Sequence, residues 1–282
     1  MKKIHKILVC IMITIASAIG HEVYAQLPSS GTHYLTQDIT LTTEVSISNG
    51  KTLTLINNTE KDITISGGNV GTMFTNSGTL IMQGNPKGRI IIDGGASMSI
   101  DSTTIEGIKF TVPTNIKKRI AIYSTNTIRM EYVTVQNVYS NKADGAALYL
   151  SIPSNKEANL INCIISKCYA QRGSAIMISS GSVGDIHVTD SKINCCFSGG
   201  GSTDKTGGAI RTYGSTKSSL YLENVKFRRN RALRITGWND NWEKDGSGGA
   251  IFWNARGLEN TKCSINGCLF ENNASDDSVG SI

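Results

Sequence analysis

The side chains able to carry reactive chemistry lie mostly in the second half of this 282-residue chain. Cys163 and Cys168 have four residues between them, Cys263 and Cys268 repeat that spacing, and Cys195 and Cys196 are adjacent. A zinc site wants paired thiolates at short spacing with matching partners, and the repeat described below accounts for these positions without a metal. Beyond residue 25 the histidines are His33 and His187, and in the sequence neither stands beside a carboxylate cluster. Glycoside hydrolysis needs two carboxylates at a defined separation, and a lyase needs a base with a cation that neutralises a uronate. Glu106 and Glu131 are expected at one outward position on neighbouring turns of the chain, about 5 Å apart, with Lys109 three residues after the first, as Lys226 follows Glu223. They read as solvated charges on an outer face, and Asp38, Asp276 and Asp277 read as loop residues. No catalytic residue, metal ligand or cofactor is assigned. Trp238 and Trp242, separated by Asn239, Asp240 and Asn241, stand in the longest insertion. There they either stack on sugar rings or pin the loop to the domain.

The elements that position these residues are strands. From Ile39 the apolar residues keep a period of two (Ile39, Leu41, Val45, Ile47, Leu53, Leu55, Ile63, Ile65), with Thr and Ser between them. Helical spacing is absent beyond residue 25, so the fold class is all-β. One motif, Leu222-Glu223-Asn224-Val225-Lys226-Phe227, recurs from 265, 188 and 160, and more loosely from 130 and 105. Its first, fourth and sixth positions are apolar, and its third is Asn, Asp or Gly in most copies, the types that accept a left-handed backbone at low cost. The chain therefore bends there between two short strands. A bend repeated with the same face apolar is what a coil of a parallel β-helix requires, because each coil buries its inward side chains against the next. About 28 residues per coil gives roughly nine coils and a length near 43 Å. The longer intervals after 188 and 222 hold inserted loops. The expectation is one right-handed parallel β-helix domain over 26–282.

Composition bounds the setting. Hydrophobic residues at 39% and charged residues at 18% exclude a disordered polyelectrolyte. Met1 to Lys6 is basic, Ile7 to Gly20 is apolar or small, and Val23-Tyr24-Ala25 fits signal peptidase. Residues 1–25 therefore read as a Sec-type signal peptide, with the mature chain starting at Gln26 and no later transmembrane segment. The apolar run is shorter than the roughly 20 residues of a spanning helix. Cleavage removes Lys2, Lys3, Lys6 and Glu22 and lowers the net charge from +6 to +4. That charge is too mild and too scattered in sequence to imply nucleic acid.

A second motif precedes most copies of the first: Gly145-Ala146-Ala147-Leu148, Gly173-Ser174-Ala175-Ile176, Gly207-Gly208-Ala209-Ile210 and Gly248-Gly249-Ala250-Ile251. With Phe227-Arg228-Arg229-Asn230 and Phe270-Glu271-Asn272-Asn273 downstream, it resembles the GGAI and FxxN signatures of the polymorphic outer-membrane protein repeat. The resemblance covers about 140 C-terminal residues, and the wider chain resembles secreted bacterial β-helix proteins of the pectate-lyase-like kind. It implies an exported bacterial protein at the cell surface or outside the cell, adhesin-like or contacting a polysaccharide or host-surface glycan. Unlike that family, this chain is expected to lack a C-terminal transmembrane barrel. The rival readings are a polysaccharide lyase or glycoside hydrolase of the same fold, and a purely structural stalk.

Four expectations follow from the repeat. Cys168 and Cys196 occupy the FxxN asparagine position on adjacent coils, as a disulfide or as a thiol stack. Cys163 and Cys268 share another position three coils apart, too far to pair. Tyr149, Met177, Arg211 and Phe252 follow the inward Leu148, Ile176, Ile210 and Ile251, so they should form an outward column able to bind a ligand or to lie under the Trp238 and Trp242 loop. At the C-terminal end Val279 to Ile282 begins a further repeat with no cap after it, so that open end is expected to meet a further domain or partner.

Overall fold

The computed structural model describes residues 23–100, 108–111, 120–140, 144–199, 208–212, 216–232, 248–253 and 261–275. Its strands form four sheets in which every pairing is parallel, and one antiparallel two-stranded hairpin. One coil shows the order: Glu157–Ile161 in an eight-stranded sheet, Ile164–Ser166 in a nine-stranded sheet, Tyr169–Ala170 in a four-stranded sheet and Ile176–Ile178 in a seven-stranded sheet. The next coil repeats it one strand further along each sheet. This is the parallel β-helix, and the right-handed sense is the one in which parallel strands close through crossovers.

Register follows the alternation read from the sequence. Leu53, Leu80, Ile128, Ala158, Ile186 and Leu220 lie directly over one another in the eight-stranded sheet, all fully buried. Ile63, Ile90, Val133, Cys163, Ser191 and Val225 begin the facing rows, and Phe227 stacks on Phe270 with centroids 4.9 Å apart. The interior is thus a set of like-on-like columns, each coil filling the pleat left by its neighbour.

The bends explain the motif. Its third position is left-handed in all five described copies, at Tyr132, Asn162, Asp190, Asn224 and Gly267, with φ between 50° and 61°. A second left-handed bend, invisible in the sequence, falls at Asn137, Lys167, Cys195, Arg229 and Asn272. Next along the chain comes a column of Val138, Cys168, Cys196, Asn230 and Asn273. Here each asparagine reaches back one coil. The Asn230 side chain accepts the Cys196 N–H at 3.0 Å and donates to the Ile193 carbonyl at 2.8 Å. Asn273 does the same to the Asn230 N–H and the Phe227 carbonyl, and the two side chains bond at 2.9 Å. Two backbone groups that a turn would leave unpaired are satisfied per coil.

One reading of the sequence needs correction. The copy read at 105–110 is not a coil: its described part lies in Ile108–Thr111, which pairs antiparallel with Ser97–Ile100, while Ile90–Asp93 stacks directly on Val133–Gln136 and Thr79–Gln83 on Ile128–Glu131. A hairpin strand carries the same alternation as a coil strand, so the pattern alone could not separate them. The N-terminal half holds the expected coils without the six-residue motif. There the bend is a longer turn held by side chains, Asn57 bonding to Lys61 and Arg89 carbonyls and Asn85 to those of Asn57 and Thr59. Val23–Ala25, read as the end of the export signal, pairs parallel with Ile39–Leu41. Residues 276–282, on which the open-end expectation rests, lie outside the described residues.

Candidate functional site

The column on the seven-stranded sheet has the expected register. Tyr149, Met177, Arg211 and Phe252 are direct neighbours on successive strands, and Tyr123 extends the row. Tyr123 and Tyr149 stack with centroids 4.9 Å apart, and the Arg211 guanidinium lies 5.4 Å from the Phe252 ring centre. The column is not an open face, however. Met177 is 0% exposed and Arg211 5%, leaving Tyr149 and Phe252 half-buried at the flanks. The GGAI bends press on it: a side chain at Gly145 would meet the Met177 Cβ at 2.8 Å, and one at Gly173 the Arg211 Cβ at 3.2 Å. That close approach, with φ of +69° and +54°, accounts for glycine at both positions. Trp238 and Trp242 lie outside the described residues.

The eight-stranded sheet presents an open outer face. Its outward central row runs Ile81, Arg129, Asn159, His187, Tyr221 and Ser264. His187 and Tyr221 stack with centroids 4.7 Å apart and planes 8° from parallel, both half-buried, with Asn159 beside them and Arg129 exposed beyond. The adjoining row carries Gln83, Glu131, Ile161, Thr189 and Glu223. A flat aromatic step flanked by amide, guanidinium, carboxylate and hydroxyl groups can stack on an apolar ring face and hydrogen-bond its rim. Sequence reading set His187 aside. The signal that finds it is the alternation of Ile186 and Val188, which turns His187 outward, combined with the repeat, which aligns it with Tyr221.

The carboxylates do not make the expected arrangement. Glu131 has Gln83 and Ile161 as its strand neighbours, and it pairs with Arg129 at 3.4 Å. Glu106 lies outside the described residues, and the strand stacked before that of Glu131 is Thr79–Gln83. Glu157 and Asp185 are in direct register instead, at the rim of an open cleft of about 530 Å³ lined also by Ser154, Asn155, Lys156 and Gly184. In a glycosidase one of two such carboxyls is held protonated by its apolar surroundings, and Glu157 is exposed. Among the described residues no group of three His, Cys, Asp or Glu side chains could hold a metal ion.

Cys168 and Cys196 sit buried in the asparagine column as free thiols. Burial, and then the neighbouring Cys168, raises the Cys196 thiol well above its ordinary range. The Cys196 Sγ lies 3.4 Å from the Asn194 carbonyl and 3.8 Å from that of Ile165, the counterpart of the carbonyl Asn230 bonds. Cys163 and Cys268 share a column with Ser191 and Val225 between them, three strand spacings or about 14 Å apart, beyond the reach of a bridge. The chain matches no protein-family model, no curated protein and no solved structure.

Proposed function

We propose that the protein is an exported, non-catalytic β-helix that contacts glycan at a bacterial cell surface or outside the cell, through the outer face of the eight-stranded sheet. The observation that carries this reading is the parallel His187 and Tyr221 stack in line with Asn159 and Arg129 on an open face. The resemblance of the GGAI and FxxN segments to polymorphic outer-membrane protein repeats supports export and surface contact, as does the signal-like segment 1–25. A glycan array probed with the folded chain should give a defined set of ligands. Tyr221→Ala and His187→Ala should each weaken their binding about five- to tenfold, the contribution of one ring face, with the melting temperature nearly unchanged. An array without binders would favour a structural stalk. N-terminal sequencing of exported protein should begin at Gln26.

A second reading, a hydrolase or lyase, is favoured by the register of Glu157 with Asp185 at the cleft. Release of reducing or unsaturated ends from polysaccharide, abolished by Glu157→Gln, would establish it in place of the first.

A further inference from the structure

Five cations that are separated along the sequence are brought by the coils onto one face. On the nine-stranded sheet Lys192 and Lys226 are direct neighbours on adjacent strands, and Arg228 occupies the next outward position beside Asn194. Arg229 and Lys167 stand at the second left-handed bend of their coils, with Cys195 between them in the column. All five cations are exposed. The Cys195 thiol reports how close they come: burial raises it, while Arg229, then Lys167, then Arg228 pull it down. Against them stand Glu271, which pairs with Arg228 at 3.1 Å, and Asp190, which accepts the Asn224 side chain at 3.1 Å. Among the described residues Lys167, Lys192, Lys226 and Arg229 have no carboxylate partner. Like charges directly opposite on adjacent strands are destabilising, and folding alone gives no reason for Lys192 to face Lys226.

We propose that this strip, from Lys167 to Arg229, binds a linear polyanionic polysaccharide carrying carboxylate or sulfate groups along its length. Lys192 and Lys226 lie one strand spacing of about 4.8 Å apart, and Lys167 and Arg229 two spacings apart across Cys195, so a chain laid along the axis meets at least one charge on each of these three coils, and cations so gathered add their fields. Single-stranded nucleic acid would want aromatic platforms, and the outward positions of this sheet around the strip, Thr134, Gln136, Ile164, Ser166, Asn194 and Leu269, carry no aromatic residue. The strip is a different face from the His187 and Tyr221 row and stands independently of it.

The test immobilises the folded chain and passes dextran sulfate, polygalacturonate, neutral dextran, duplex DNA and phosphatidylglycerol vesicles over it. Expected is binding of dextran sulfate or polygalacturonate that weakens steeply with added salt, and none of neutral dextran. Lys192→Gln with Lys226→Gln should weaken it about tenfold, as two exposed charge contacts would, and Lys226→Glu alone should weaken it comparably. Both variants should melt at or slightly above the parent temperature, and Tyr221→Ala should leave polyanion binding unchanged. Absence of polyanion binding, equal binding of neutral dextran, tighter binding of DNA or vesicles, or lysine variants that bind like the parent would each overturn the proposal.

Discussion

Asn230→Ala removes a side chain that is fully buried and makes three hydrogen bonds, to the Cys196 N–H, the Ile193 carbonyl and the Asn273 side chain. Alanine leaves the Cys196 N–H and the Ile193 carbonyl without that bond in a region water does not reach, and takes a third bond from the half-buried Asn273. A buried polar group so orphaned costs about 1–3 kcal/mol, and the three share one site, so the expected loss is about 3–5 kcal/mol. Asn230→Cys places at this coil the residue found at 168 and 196. Its thiol can donate weakly to the Ile193 carbonyl, as Cys196 approaches the Ile165 carbonyl, but it accepts the Cys196 N–H poorly, so about half that loss is expected. Urea unfolding followed by far-ultraviolet circular dichroism measures both. Asn230→Ala within about 1 kcal/mol of the parent, or Asn230→Cys no better than Asn230→Ala, would refute the reasoning that the column works through hydrogen bonds and not through volume.

Met177→Ala should cost about 2–5 kcal/mol, as the truncation of a fully buried side chain, and a melting temperature near the parent's would show that the column is loosely covered. Gly145→Ala meets both a φ of +69° and the Leu148 carbonyl oxygen at 2.7 Å, whereas Gly50, with φ +73°, has nothing within 4 Å. Gly50→Ala should therefore lose only about 1 kcal/mol of backbone strain and Gly145→Ala about twice that or more, and equal losses would remove the steric account of the GGAI glycine. Burial pushes Cys263 up to about 11 and Cys163 up to about 12 from 9.0, and pushes Tyr169, helped by Tyr139, up to about 12 from 10.0. Each folded group holds its proton more tightly than the unfolded chain does. This contribution is thus whole below about pH 9 and is lost as pH rises through 11 to 12, so melting temperatures flat to pH 12 would contradict it.

How much of this was legible in the sequence depended on where backbone strain is concentrated. Asn162, Asp190, Asn224 and Gly267 announce the first bend because their types accept a left-handed backbone at low cost. The second bend carries Lys167, Cys195 and Arg229, which share no such preference, beside Asn137 and Asn272, so residue type does not mark it. Both bends share one backbone bond: the Asn162 and Lys167 N–H groups each donate to a carbonyl of the following coil, at Thr189 and Asn194. The outward column on the seven-stranded sheet was legible in register but not in exposure, since alternation tells which way Met177 points and not what lies over it. The His187 row and the basic strip were hidden for one reason: their members are separated by unequal stretches of chain, because inserted loops lengthen some coils, and only the strand register lines them up.

The excursion that interrupts the N-terminal coils is tied down at both ends. The Ala96 N–H bonds to the Asn137 carbonyl before the chain leaves, and the Ile120 N–H bonds to the Gly71 carbonyl as it returns. The coils on either side are already hydrogen-bonded to each other, so the stack is continuous without the hairpin of Ser97–Ile100 and Ile108–Thr111. Chain-closure entropy grows only slowly with length. The site is thus a docking bay at which evolution, or an engineer, can exchange one segment for another of different size while the columns above and below stay in register.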